Sequence, residues 1–165
     1  MDQNNKFKIL FLCTGNSARS IMAEYIMKVL GKGRFESFSA GSHPAGSVNP
    51  WTLDFLKNIK IDTEGARSKA WDEFKEQHFD FVITVCDNAR EACPVWLGQP
   101  IVAHWGSQDP AHAAGDDEQK RVVFRRVGME IYRRIELFLS LPLEKMDRIR
   151  LQEVAQGIVS QKEPV

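Results

Sequence analysis

The chain has 165 residues, the size of a single domain, and 43% of them are hydrophobic, enough for one ordinary core. Its 22 lysines and arginines balance its 22 aspartates and glutamates, so no overall field is available to hold nucleic acid or a membrane surface. No apolar run approaches the roughly 20 residues of a membrane span, and the polar start MDQNNKFK lacks the apolar stretch of a signal peptide; a cytoplasmic location is expected, where thiols stay reduced.

In chain order, Phe7–Leu12 is a continuous apolar run, the pattern of a strand buried on both faces. From Ile21 to Leu30 the apolar residues Met22, Tyr25, Ile26 and Val29 recur at helical spacing, and Gly31 and Gly33 end the helix. Phe35–Ala40 reads as a second strand. Asn49-Pro50 opens a helix that runs to about Lys57, with proline near the first turn. Trp71–Glu76 reads as a short helix, Phe79–Val85 as a third strand, Gln99–Ala103 as a short fourth strand, and Asp117 to Leu139 as a long helix. After Pro142, the spacing of Leu143, Met146, Ile149, Val154 and Ile158 predicts a final amphipathic helix with a frayed tail, packed on the same domain. Strands alternating with helices predict an α/β fold with a parallel sheet covered on both faces.

Three cysteines cannot all pair with one another; in a reducing compartment they are core residues, metal ligands or redox groups. Cys13 stands at the C-terminal end of the first strand, where parallel α/β sheets bind ligands. The following Thr14-Gly15-Asn16-Ser17-Ala18 carries mostly small side chains, so its N–H groups can turn inward; Gly15 and Asn16 are the types that tolerate positive φ. Such a nest ahead of a helix N-terminus binds tetrahedral anions. Arg19 adds a planar fork for two oxyanion oxygens, and Ser20 can donate to the sulfur. This setting is expected to lower the Cys13 pKa and give a thiolate at neutral pH. The pattern is a device for nucleophilic attack on a tetrahedral oxyanion.

Cys86 ends the third strand, close to the first strand's end, and Cys93 follows seven positions later. If the connector Asp87–Ala92 is helical, the two Cα atoms lie about two turns, roughly 10 Å, apart. A disulfide needs them within about 7 Å, so pairing requires the connector to unwind. Electrons leaving a buried site for an outside reductant have use for such a pair; a phosphatase does not. Four histidines (His43, His78, His104 and His112) show no metal-ligand spacing with the cysteines, and no metal site is expected. His104 reads as structural, positioning the Asp109 segment. The arginines between Arg121 and Arg134 read as a solvated helix face, and Trp96 as a core residue.

Cys13 in CTGNSARS together with Asp109-Pro110 resembles the low-molecular-weight protein tyrosine phosphatase superfamily. With Cys86, Cys93-Pro94 and His104-Trp105-Gly106 added, the chain resembles the phosphatase-like, thioredoxin-coupled arsenate reductases, from about Lys8 to Leu139. That resemblance implies a three-layer αβα sandwich around a four-stranded parallel sheet, over residues 1–142; residues 143–165, the C-terminal helix and tail, lie outside the minimal family domain and are not explained by the resemblance. It implies arsenate as substrate, no bound cofactor, and thioredoxin as the outside reductant, with glutaredoxin and glutathione as the second choice. In the implied roles, Cys13 attacks arsenic while the loop and Arg19 hold the oxyanion and Asp109 protonates the departing oxygen. Cys86 then attacks Cys13, and Cys93 attacks Cys86. Some relatives bind potassium beside the loop; Asn16, Glu24 and Ser39 match three of its ligands, and the fourth position falls at or near Lys69. The ammonium of Lys69 is expected to replace the ion. Two alternatives stand beside this reading: a phosphatase acting on phosphotyrosine or a small aryl phosphoester, and a non-catalytic oxyanion or redox sensor. The phosphatase is disfavoured by Ala111-His112-Ala113 where aromatic residues would wall a phosphotyrosine ring.

Overall fold

The structure, a computed structural model, describes residues 5–160; the frayed tail expected after them lies outside the described residues. Four parallel strands form one sheet in the order β2-β1-β3-β4: β1 (Phe7–Cys13), β2 (Phe35–Gly41), β3 (Phe81–Thr84) and β4 (Ile101–His104). The helices are α1 (Arg19–Leu30), α2 (Pro50–Asn58), α3 (Asp87–Ala92), α4 (Asp117–Leu139) and α5 (Arg148–Gly157), with short 3-10 turns at Trp71–Phe74, Pro110–His112 and Leu143–Lys145. The α/β class and the four-stranded parallel sheet agree with the sequence.

The differences are at the ends of elements. β3 is shorter than its apolar run, because Phe79, although buried, packs against aromatic rings rather than joining the ladder, and β4 spans Ile101–His104 rather than Gln99–Ala103. The predicted helix at Trp71 is a single 3-10 turn. The segment after Pro142 is broken into a 3-10 turn and α5, which starts where Asp147 accepts a hydrogen bond from Arg150 N–H.

Alternation along the strands sorts the aromatic residues onto the two faces. Phe7, Phe11, Phe35 and Phe81 lie on the face covered by α4, where Phe138 stacks against Phe35, Phe81 and Trp105. Phe38, three positions after Phe35, points the other way and meets Phe74 and Phe79, and Phe79 carries Trp96 edge-on. Between these layers Ile9, Leu10, Phe11 and Leu12 are fully buried, as the unbroken apolar run requires.

The long α4 is opened by a capping box: Asp116 accepts from Gln119 N–H, and the Gln119 side chain accepts from Asp116 N–H. Its arginines are not all solvated. Arg134 reaches back to the carbonyl oxygens of Trp105 (3.3 Å) and Gly106 (2.8 Å), tying α4 to the chain that leaves β4. Where α4 crosses α2, Gly128 is the contact point; a Cβ there would lie 2.4 Å from the Phe55 ring.

α5 closes the edge of the sheet. Gln152 donates to Val102 O (2.8 Å), Gln156 accepts from His104 N–H (3.1 Å), and Trp105 Nε1–H donates to Ala155 O (2.8 Å). An open edge strand presents unpaired backbone groups, and here the C-terminal helix takes several of them. Among the described residues no helix is long and apolar enough to cross a membrane.

Phe138 is fully buried and touches three other aromatic rings. Phe138→Ala should cost about 3–5 kcal/mol of stability, read as a lowered urea midpoint; a loss below about 1 kcal/mol would contradict this account of the core.

Candidate active site

The β1–α1 connection forms a cleft of about 490 Å³ with Cys13, residues 14–19, Cys86, Asp109 and His112 among its walls. Its backbone is shaped from outside. Ser42 N–H donates to Cys13 O, His43 N–H to Thr14 O, Ala45 N–H to Gly15 O and Asn49 N–H to Ser17 O, at 2.8–3.1 Å. The hydroxyls of Thr52 and Ser68 add bonds to Ser17 O (2.9 Å) and Gly15 O (3.1 Å). All of these bonds engage loop carbonyls and none uses a loop N–H group. Gly41 permits the close packing this needs, since a Cβ there would lie 2.4 Å from Thr14 O. The positive φ expected in the loop falls on Asn16 (47°) and not on Gly15. Nothing in the sequence pattern marked the segment after Gly41 as the outer brace, because backbone donors carry no residue signature.

Beneath the loop lies a buried polar network. Asn16 Nδ2 donates to Ser20 Oγ (2.7 Å) and Ser39 Oγ (3.0 Å), and Asn16 Oδ1 accepts from the backbone N–H of Lys69 (2.8 Å). Ser39 donates to Glu24 Oε1 (2.5 Å). The Lys69 ammonium, 7% exposed, sits 3.4 Å from Glu24 Oε1, 3.4 Å from Ser39 Oγ and 2.8 Å from Arg67 O. Lys28 also reaches Glu24 (3.0 Å) from one turn further along α1, a partner the sequence pattern did not single out. Burial pushes the Lys69 ammonium below its usual pKa, and Glu24 pulls it back up.

Cys13 Sγ lies 2.8 Å from Ser20 Oγ and accepts from Asn16 N–H at 3.1 Å. The expected lowering of its pKa is not what the geometry gives. Burial pushes the Cys13 thiol up and outweighs the downward pull of Ser20, Asn16 N–H and Arg19; the neighbouring Cys86 adds to the rise. The charge of Arg19 is shared with other partners: Nη1 donates to Ser107 O (2.8 Å), and Nη2 lies 3.5 Å from Asp109 Oδ2. Asp109 caps the 3-10 turn through Ala111 N–H (3.0 Å), and its second oxygen is 3.3 Å from His112 Nε2. The sequence reading did not identify the His112 contact.

Cys86 is placed beside Cys13 by strand register, since Leu12 pairs with Thr84 and Val85 N–H donates to Leu12 O. Its sulfur lies 3.3 Å from Thr14 Oγ1 and accepts from Ala89 N–H at the start of α3. The connector to Cys93 is thus helical. Cys93 is half-buried at the far end of α3, outside the cleft wall, and burial pushes its thiol up. All three thiols are free. His104 serves a different segment from the one expected: Nδ1 meets Thr84 Oγ1 (2.8 Å) and Nε2 meets Asp87 (3.0 Å), so it braces α3 rather than Asp109. Among the described residues no group of histidines, cysteines and carboxylates is arranged to hold a metal.

Residues 8–150 match the family model of low molecular weight phosphotyrosine protein phosphatases. The chain belongs to that family. It is 44% identical over 135 residues to the arsenate reductase of Halalkalibacterium halodurans, a match covering 81% of this chain and 96% of that one. It is 33% identical over 133 residues to the glutaredoxin arsenate reductase of Synechocystis, covering 81% and 96% of the two chains. A solved structure of an arsenate reductase in its phosphate-binding state superposes with a TM-score of 0.69 at 31% identity, covering 81% of this chain and 97% of that one.

A raised Cys13 pKa means that the neutral thiol persists to higher pH. In a Cys86→Ser, Cys93→Ser background, iodoacetamide labelling of Cys13 should climb through the alkaline range with its midpoint above that of an ordinary thiol, and Ser20→Ala should move it further up. A midpoint below the ordinary thiol value of about 8.5 would show that the thiolate-stabilising groups win instead.

Proposed function

We propose that the protein is an arsenate reductase working through a three-cysteine relay, and that its physiological role is arsenic detoxification. The observation that carries the reading is the stacking of Cys86 on the loop that holds Cys13, with Cys93 at the other end of one short helix. A hydrolytic phosphatase needs only the first cysteine; a second buried sulfur against the nucleophile's loop has a use when sulfur must be oxidised.

The oxyanion is held by loop N–H groups from Thr14 to Ala18 and by Arg19, which stabilise its charge without moving. Cys13 attacks arsenic(V) as the thiolate, whose formation burial opposes and Ser20 and Asn16 N–H support; an oxygen leaves as water with a proton from Asp109. The product is a covalent sulfur–arsenic adduct. Cys86 attacks the Cys13 sulfur: a Cys13–Cys86 bond forms, the sulfur–arsenic bond breaks, and its electron pair leaves with arsenic(III) as arsenite. Cys93 then attacks Cys86, freeing Cys13 and carrying the disulfide out of the cleft. A dithiol reductant of the thioredoxin type reduces Cys86–Cys93; a glutaredoxin with glutathione is the alternative electron source, favoured by the Synechocystis relative.

Lys69 serves as a tethered cation under the loop. It neutralises Glu24 where a potassium ion would otherwise be needed, and its backbone N–H fixes Asn16, whose side chain orients Ser20. The family match also favours a second reaction, slow hydrolysis of small aryl phosphates, because the attack on a tetrahedral oxyanion is shared.

The test is arsenate-dependent NADPH oxidation with thioredoxin and its reductase, run beside glutaredoxin with glutathione. Cys13→Ser should abolish arsenite formation, Cys86→Ser should abolish it or leave only the stalled adduct, and Cys93→Ser should keep about one turnover per enzyme while losing multiple turnover. Cys86→Ser and Cys93→Ser both turning over like the parent would overturn the relay and favour the phosphatase.

A further inference from the structure

The six-residue α3 is too short to be stable by itself. It is held wound by contacts at its first turn: Cys86 as the N-cap, Arg90 N–H on Cys86 O (3.1 Å), and Asp87 on the His104 ring (3.0 Å). The ring itself is fixed. Thr84 Oγ1 meets Nδ1 at 2.8 Å, and the backbone of His104 is pinned by Gln156 of α5 at 3.1 Å. Gly106 leaves the space the ring occupies, since a Cβ there would lie 2.8 Å from His104 Nε2. With the hydrogen on Nε2 to meet the Asp87 carboxylate, Nδ1 is left to the Thr84 hydroxyl. Gln156 lies beyond residue 150, where the family match ends, so this chain pins the His104 backbone through a residue outside the matched region.

We propose that His104 is a positioning residue for the Cys86–Cys93 step: through its bond to Asp87 it keeps α3 wound, with Cys86 on the cleft and Cys93 out of reach, until the first disulfide has formed. The proposal rests on the three-cysteine relay. A wound α3 separates the two Cα atoms beyond disulfide range, so α3 must uncoil for them to pair, and the His104–Asp87 bond at its first turn resists that uncoiling. The latch therefore disfavours a premature Cys86–Cys93 disulfide that would take Cys86 away from Cys13.

The test uses the full chain with Cys13→Ser, in glutathione buffers, where Cys86-SH and Cys93-SH plus one oxidised glutathione give the Cys86–Cys93 disulfide and two reduced glutathiones. Alkylation and mass spectrometry read the equilibrium constant. His104→Ala should raise it about three- to tenfold, the worth of one net hydrogen bond. Asp87→Ala should raise it similarly from the other side, and His104→Gln, which can still donate to Asp87, should stay near the parent value. Unchanged constants in both alanine variants would overturn the latch. If the parent forms no Cys86–Cys93 disulfide in any buffer, the relay itself fails. Hydrogen exchange at Arg90 N–H then decides on His104: faster exchange in His104→Ala supports its hold on α3, and unchanged exchange removes it.

Discussion

The β1–α1 loop depends on a charge placed where charges are expensive. Lys69 and Glu24 are both nearly excluded from solvent and sit directly under the β1–α1 connection. Taking two ions out of water costs several kcal/mol each, offset only when geometry and extra hydrogen bonds are good. Here Ser39, the Arg67 carbonyl and Lys28 provide those bonds, and Asn16 transmits the arrangement to Ser20 and so to Cys13. A left-handed Asn16 is strained for most side chains; its side chain makes three buried bonds that fix it there.

The network below and the brace above act on different atoms. The brace, residues 42–52 and Ser68, takes the loop's carbonyls. The network takes the Asn16 side chain. Together they fix the loop from both sides, so under the proposed reading an oxyanion would meet a backbone already held in shape. The same burial that shapes the site raises the Cys13 pKa, so ionisation of this thiol is opposed by desolvation and supported by Ser20, Asn16 N–H and Arg19.

Much of this was legible in the sequence for physical reasons. The run Phe7–Leu12 could only be a central strand, and a cysteine at its end followed by small residues and Arg19 marks a ligand loop by residue type and topology. Cys86 came near Cys13 because neighbouring parallel strands end together. Other parts left no trace. The upward shift of the Cys13 pKa comes from burial, which a local sequence pattern does not report. His104 was assigned to the Asp109 segment because it precedes it, whereas side-chain direction sends it across β3 to Asp87. The edge-closing bonds of Gln152 and Gln156 are invisible to a helical periodicity that registers only apolar positions.

The most direct test of the buttressed loop is a titration with inorganic phosphate followed by amide NMR on the parent and on Lys69→Met in sodium buffer. The parent should show saturable shifts at residues 14–19, and Lys69→Met should bind at least about tenfold more weakly, a loss of roughly 1.4 kcal/mol, with recovery on adding potassium. Equal affinity in the two proteins, or shifts confined to residues away from the loop, would contradict the claim that a buried cation holds the anion cradle in shape.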